Sequence, residues 1–150
     1  LMGFIAFVML IASGYATVIR ATGAVDQLVE SAFNMLGGSK LAGSTIMILL
    51  GLLITMGIGT SFGTVPVIAT IYVPLSLKLG FSPATIVFMI AVAAALGDAG
   101  SPASDTTLGP TAGLNADGQH DHIWDTCVPQ FICYDIPLMV VGIICPLFMN

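Results

Sequence analysis

The residues best suited to chemistry lie in one short stretch, Gly97 to Thr107, which reads GDAGSPASDTT. It combines two carboxylates with four hydroxyls, namely Asp98, Asp105, Ser101, Ser104, Thr106 and Thr107. Carboxylate, hydroxyl and backbone carbonyl oxygens are the hard ligands that a dehydrated Na+ prefers. A carboxylate inside a membrane can also hold a proton. One carboxylate that holds either Na+ or H+, but not both, is the minimal device for exchanging the two ions.

Of the two carboxylates, we favour Asp105 as the Na+ ligand, with Asp98 as the other candidate. Ser104 and Thr106 flank Asp105, so more oxygen ligands are expected to converge there. The sequence leaves open a plainer interpretation, a surface loop with solvated aspartates and Ser or Thr helix caps. The depth of the stretch in the membrane decides between the two.

A second polar stretch, GTSFGT over residues 59–64, follows an apolar run. Its hydroxyls could complete an ion or substrate site together with carbonyls that the glycines expose; they belong to Thr60, Ser61 and Thr64. The alternative is a glycine-rich seam at which membrane helices pack.

The pair His120 and His122 suggests a metal site, but no third ligand is evident, and a polar loop is the commoner setting for such a pair. The three cysteines are odd in number and lack CxxC spacing, so neither a disulfide framework nor a zinc site is expected.

The composition is that of an integral membrane protein. Hydrophobic residues make up 57% of the chain and charged residues 7%, against roughly 25% charged in an ordinary soluble domain. The mean hydropathy is +1.03. Such a chain lacks the basic patch of a nucleic-acid binder and the surface polarity of a soluble enzyme, and it is too apolar to be disordered.

Apolar runs predict membrane spans, because roughly 20 apolar residues cross the hydrocarbon core. An amphipathic connector is predicted over residues 22–38 and a polar segment over 98–133. Two of the predicted spans are short for a crossing, 65–77 and 84–97. The full set of predicted spans is 1–19, 41–58, 65–77, 84–97 and 136–149.

Both short spans adjoin breaks rich in Gly, Ser, Thr and Pro, and paired short segments indicate the binding site of a secondary transporter. We therefore predict an all-α fold, a polytopic transmembrane bundle with broken or re-entrant helices. The chain opens at Leu1 inside an apolar run. We expect residues 1–150 to be the C-terminal membrane part of a longer transporter.

The motif GDxxSPxSDTT resembles the signature of the NhaC-type Na+/H+ antiporter family, within the wider ion-transporter superfamily. The continuation LGPTAGLNADGQHDHIWDTCVPQF and the upstream GTSFGT resemble a branch of Na+/H+ antiporters and amino-acid transporters, some of them described as histidine transporters. The resemblance covers roughly residues 40–137.

The resemblance implies a protein of the bacterial cytoplasmic membrane that performs secondary transport without a cofactor. Asp98, Ser101, Ser104, Asp105 and Thr106 match the family's polar signature. The chain departs from the NhaC form directly after Asp98, where Ala-Gly replaces a His-Cys pair, and this bears on the transported substrate.

We predict exchange of Na+ for H+ by alternating access. The alternative is a Na+- or H+-coupled carrier of an amino acid, histidine included, and a third hypothesis is a passive subunit or scaffold. The expected partners are the lipid bilayer, Na+, H+, an amino acid in the alternative, and the N-terminal half of the same transporter, with a homodimer left open. Nucleic acid is excluded.

Overall fold

The computed structural model describes residues 3, 6–7, 10–11, 14, 17–18 and 21–149 of the chain. The predicted span over residues 1–19 lies largely outside the described residues, as does Arg20. The residues of that span that are described are helical.

From residue 21 onward the described chain is a series of helices with short connections. They are α1 (Ala24–Leu36), α2 (Lys40–Ile58), α3 (Ser61–Lys78), α4 (Pro83–Gly100), α5 (Asp105–Leu114) and α6 (His122–Phe148). Helix α6 contains two π-helical turns, His122–Cys127 and Phe131–Asp135. The described residues form no strand, and the predicted all-α fold class is confirmed.

Within the described residues, four stretches are long and apolar enough to cross a membrane. They are α2, α3, α6 and the run Pro83–Leu114, which contains α4 and α5. These lengths and compositions confirm the predicted polytopic membrane bundle.

The segment predicted as a short span over residues 65–77 is part of the 18-residue helix α3. The interruption before it comprises only Gly59 and Thr60, and the helix continues through Pro66 and Pro74. A proline removes one backbone donor, and the packed neighbours of a membrane bundle can compensate for that loss. The segment is therefore part of a helix long enough to cross a membrane, rather than a separate short span.

The other predicted short span, 84–97, is the main part of α4. The Ser82 hydroxyl caps this helix by accepting a hydrogen bond from the Thr85 backbone N–H at 3.3 Å, and Pro83 is its first residue. The helix extends to Gly100, and α5 follows after a break of residues 101–104. The two helices together form one interrupted element of membrane-spanning length.

The segment predicted to be polar, 98–133, is largely helical. It holds the end of α4, the break, α5, the connection 115–121 and the first part of α6. The last span, predicted over 136–149, accordingly begins at His122. The prediction began the span too late because the first residues of α6 are polar. Asp121 caps this helix by accepting hydrogen bonds from the backbone N–H groups of Ile123 and Trp124.

Helices α2, α4 and α6 pack closely because glycines lie at their contacts. An added Cβ at any of these glycines would overlap the neighbouring helix, and contacts between small residues are what let membrane helices associate. The close pairs are Gly51 with Ala93, Gly97 with Thr55 and Met56, and Gly142 with Val92 and Ile48.

Hydroxyl groups connect the same helices. Thr55 of α2 donates to the Ala93 carbonyl of α4 at 2.9 Å, and Ser44 of α2 donates to the Ile143 carbonyl of α6 at 3.2 Å. Together with the glycine contacts, these bonds show that α2 runs parallel to α4 and antiparallel to α6. The interruption after α2 and the break after α4 thereby lie at the same end of the bundle.

Helix α1 lies within the predicted amphipathic connector and buries Val25 and Val29 beside α3. The Nζ of Lys78 lies 5.8 Å from the centre of the Phe33 ring. The Nζ of Lys40 lies 5.4 Å from the centre of the Phe81 ring, just before α4 begins. The two described basic side chains are therefore at the start of α4, far from the break that follows it.

Candidate functional site

The interruption between α2 and α3 meets the break between α4 and α5. Gly59 adopts the left-handed conformation with φ of 73°, and an added Cβ would lie 3.0 Å from the Ala103 carbonyl oxygen. The Ser101 hydroxyl donates to the carbonyl of Met56 at 3.0 Å. The two polar stretches found in the sequence thus form one region.

The carboxylate of Asp98, in the last turn of α4, lies in this region. The Ser61 hydroxyl donates to its Oδ2, and the Ser104 hydroxyl donates to its Oδ1 at 2.6 Å. Ser61 is the first residue of α3, and Ser104 is the N-cap of α5. Helix N-termini carry a partial positive charge, so both helices favour a negative charge on Asp98.

The backbone of the break is held by further hydroxyls. Thr106 donates to the carbonyl of Asp98. The buried Thr107 hydroxyl lies 2.5 Å from the Ser101 carbonyl and 2.9 Å from the Ser104 carbonyl. The Thr106 bond satisfies a carbonyl in the last turn of α4, where helical partners are lacking. The Thr107 hydroxyl adds to backbone bonds that the Ser101 and Ser104 carbonyls already accept.

The predicted site residues do not all come together. Ser61, Ser104 and Thr106 contact Asp98, whereas Asp105 is exposed at the first position of α5. The expectation that oxygen ligands converge on Asp105 was wrong, since the flanking Ser104 and Thr106 hydroxyls turn toward Asp98.

The threonines of the first interruption also lie apart from the carboxylate's bonds. Thr60 makes no side-chain cap on α3, and the buried Thr64 hydroxyl donates to the Thr60 carbonyl at 2.8 Å. The Thr64 hydroxyl therefore bonds to the backbone at the start of α3 instead of to Asp98.

An open cleft of about 370 Å³ reaches Asp98. Its polar wall comes from Ser61, Asp98 and Thr106, and its other walls from Ala95, Ala99, Gln130 and Tyr134. A second cleft of about 360 Å³ shares Ala95, Ala99 and Tyr134 with the first and is otherwise lined by Cys133, Pro137, Leu138 and Val141. The carboxylate thus lines one cleft that contains polar side chains and adjoins a second cleft with a mostly apolar lining.

Sequence reasoning missed one buried carboxyl group, Asp135. Its side chain is 0% exposed, and in the described part of the chain neither carboxylate oxygen has a hydrogen-bond partner. The sequence did contain a signal for this residue. Asp135 is the only charged residue after Asp125, and it lies within an otherwise uncharged stretch.

The two histidines bond to the protein itself. His122 Nε2 lies 2.8 Å from the Pro102 carbonyl, and its Nδ1 lies 2.7 Å from the Thr111 hydroxyl. His120 Nε2 lies 2.7 Å from the Thr126 hydroxyl. No group of three or more metal-ligating side chains comes together among the residues that the structure describes. His122 thereby connects α5 and the break to the first turn of α6. His120 connects the preceding segment to the same turn.

Comparisons with known proteins point to transport. The model of the Na+/H+ antiporter family matches residues 1–143. YuiF of Bacillus subtilis (strain 168), whose name marks it provisionally as an amino acid transporter, is 61% identical over 142 residues, 95% of this chain and 32% of that protein. An uncharacterized membrane protein of Haemophilus influenzae is 58% identical over 149 residues, 99% of this chain and 33% of that protein. The chain therefore spans about a third of the length of these relatives. No solved structure matches it.

Proposed function

This chain belongs to the Na+/H+ antiporter family, and we propose that it carries the ion site of a secondary transporter that exchanges Na+ for H+ by alternating access. The ion-binding carboxylate is Asp98. We place the protein in the cytoplasmic membrane of a bacterium. Within the family we assign it to the NhaC-type branch, whose signature its GDxxSPxSDTT motif resembles.

The observation that carries the proposal is the position of Asp98 between two helix N-termini. Its carboxylate borders an open cleft, and hydroxyls from two different helices contact its two oxygens. A serine hydroxyl can rotate its proton away and offer its oxygen to a cation. Asp98, Ser61 and Ser104 then supply hard oxygen ligands of the kind that Na+ prefers.

The depth of the site in the membrane is part of the same proposal. Helix α6 has 27 residues, about 40 Å at 1.5 Å per residue, which exceeds the roughly 30 Å of hydrocarbon. Asp135 is the middle residue of α6, and Gly100 of α4 lies against it. Asp98 precedes Gly100 by two residues. We propose that α6 is centred in the membrane, which would place Asp98 within the membrane, beside a cleft suited to an ion that crosses.

Exchange by the full-length transporter in proteoliposomes tests the proposal. A Na+ gradient is imposed, and a pH-sensitive dye inside the vesicles reports proton movement. We expect Asp98→Asn to abolish Na+-driven proton movement, because Asn removes the charge and keeps the size of the side chain. Asp105→Asn is the matched control, since Asp105 is exposed and should leave exchange in place.

Exchange that survives Asp98→Asn would overturn the assignment. If both variants leave transport by the full protein intact, the chain acts as a passive subunit or scaffold instead.

A Na+- or H+-coupled amino-acid carrier is the second candidate. The two adjoining clefts favour it, because Asp98 suits an ammonium group and the apolar cleft suits a side chain. The provisional name of YuiF points the same way. Uptake of radiolabelled amino acids, histidine included, in the same proteoliposomes separates the two functions. Uptake that needs a Na+ or H+ gradient and is lost in Asp98→Asn would favour the carrier.

A further inference from the structure

Asp135 has no role in the site described so far, yet its environment is unusual for an acid. It closes the π-helical turn Phe131–Asp135 in the middle of α6, and its side chain is 0% exposed. Among the described residues, none donates a hydrogen bond to either carboxylate oxygen. Single π-helical turns inside α-helices are frequent at functional sites.

Gly100 makes the position of this carboxyl possible. A Cβ added to Gly100 would overlap Oδ2 of Asp135 and would lie 3.2 Å from the Phe131 ring. The acid is therefore packed directly against the last residue of α4. The glycine is required by this packing, because its backbone needs no left-handed conformation here.

An ionised Asp135 would be poorly stabilised in this position. The C-terminal end of α4 carries a partial negative charge. The described basic side chains, Lys40 and Lys78, lie at the opposite end of the bundle beside Phe81 and Phe33. Burying a carboxylate without a partner is strongly unfavourable, so the packed arrangement requires a neutralising cation.

The titratable groups on the elements packed against this turn do not supply that charge. On α4, the Asp98 carboxylate is directed to Ser61 and Ser104. On α6 itself, Tyr134 and Cys133 are exposed, and neither bonds to Asp135. On α2, the only ionisable group is Lys40 at the far end.

A proton fits the position better than Na+ does. Na+ needs several oxygen ligands around it, and within the part of the chain that the structure describes no hydroxyl contacts the Asp135 carboxyl, in contrast to Asp98. The backbone of Gly100 occupies the space beside Oδ2. A proton needs no cavity, because it becomes part of the carboxyl group.

We infer that Asp135 is the proton-carrying acid of the transporter, distinct from the Na+-binding Asp98. The inference rests on the proposed exchange function. Asp135 is neutral while α6 is packed against Gly100, and it releases its proton to water when that contact opens. The resulting carboxylate must regain a proton before α4 and α6 can pack again. Proton binding is thereby coupled to the movement of α6 against α4.

Infrared spectroscopy of the full-length transporter at neutral pH tests the protonation directly. The difference spectrum between the wild type and Asp135→Asn should contain the carbonyl stretch of a neutral carboxylic acid. The band should persist in Asp98→Asn. A wild-type protein that lacks the band overturns the inference, whether or not the protein exchanges ions.

Transport and binding measurements test the coupling. Asp135→Asn should lose Na+-driven proton movement and retain binding of radioactive Na+, whereas Asp98→Asn should lose both. Undiminished exchange in Asp135→Asn overturns the inference. Absence of exchange in the wild type contradicts the proposed function instead, and the infrared result then decides the state of Asp135 independently.

A pair of glycine variants provides a second route if Asp135→Asn does not fold. Gly100→Ala should push the carboxyl out of its site and abolish the band. Gly109→Ala is the control, because a Cβ there meets nothing within 4 Å, and the band should remain. A band unchanged in Gly100→Ala counts against the inference.

Discussion

The hydroxyl of Ser104 connects the carboxylate of Asp98 to the first turn of α5. It donates to Oδ1 of Asp98 at 2.6 Å and accepts from the Thr106 backbone N–H at 3.2 Å. One side chain therefore both contacts the proposed ion ligand and caps the helix that follows the break. An ion that displaces this hydroxyl from Asp98 also acts on the start of α5.

Ser104→Ala should weaken Na+ binding by the full-length transporter. The substitution removes one of the oxygen ligands proposed for Na+, which needs several of them. The Na+ concentration for half-maximal exchange should rise, by roughly tenfold for each 1.4 kcal/mol of lost ligation. Exchange in proteoliposomes over a series of Na+ concentrations measures this.

Ser39→Ala is the matched control for the loss of a helix cap. Ser39 caps α2 by accepting from the Ala42 backbone N–H at 3.4 Å, at the end of the bundle away from Asp98. Both variants should lose about 1 kcal/mol of stability. Only Ser104→Ala should change the Na+ dependence, and an equal change in both variants would assign Ser104 a purely structural role.

The sequence was sufficient to predict the membrane bundle and the two polar stretches that meet within it. Low charge and long apolar runs indicate spans directly. The breaks at Gly59 and at 101–104 are visible as clusters of Gly, Ser, Thr and Pro. The sequence could not establish that these two breaks meet across the bundle. Contacts between distant segments depend on how the helices pack.

The choice between Asp98 and Asp105 could not be made from spacing. Asp98 still belongs to α4, whereas Asp105 already belongs to α5, and the break between them redirects the chain. The hydroxyl neighbours of Asp105 in sequence are therefore neighbours of Asp98 in space. Asp135 was missed for a similar reason, since its burial depends on a glycine 35 positions earlier in the chain.

Thr107→Val should destabilise the break after α4. The Thr107 hydroxyl is buried and lies within hydrogen-bond distance of the Ser101 and Ser104 carbonyls. Valine keeps the shape of the side chain and removes the buried hydroxyl's bonds to the break, while both carbonyls keep a backbone N–H donor. The loss of such a hydrogen bond costs about 1 kcal/mol. A lower midpoint of thermal unfolding in detergent measures the loss.

Thr45→Val is the control for Thr107→Val. The Thr45 hydroxyl donates to the Leu41 carbonyl of its own helix at 2.8 Å, in an exposed setting where water can replace it. We expect a smaller change in the unfolding midpoint. Equal midpoints in the two variants would contradict a special role of Thr107 at the break.

Gly97→Ala should destabilise the protein although alanine is the better helix former. An added Cβ would overlap the backbone of Thr55 and Met56 on α2, and backbone cannot move aside as a side chain can. Overpacking costs typically 1–3 kcal/mol, which outweighs the gain of up to about 1 kcal/mol in helix propensity. Gly57→Ala, where a Cβ meets nothing within 4 Å, should be neutral or stabilising. Thermal unfolding of both variants in detergent gives the comparison, and a stabilised Gly97→Ala would mean that α2 and α4 are not in direct backbone contact beside Asp98.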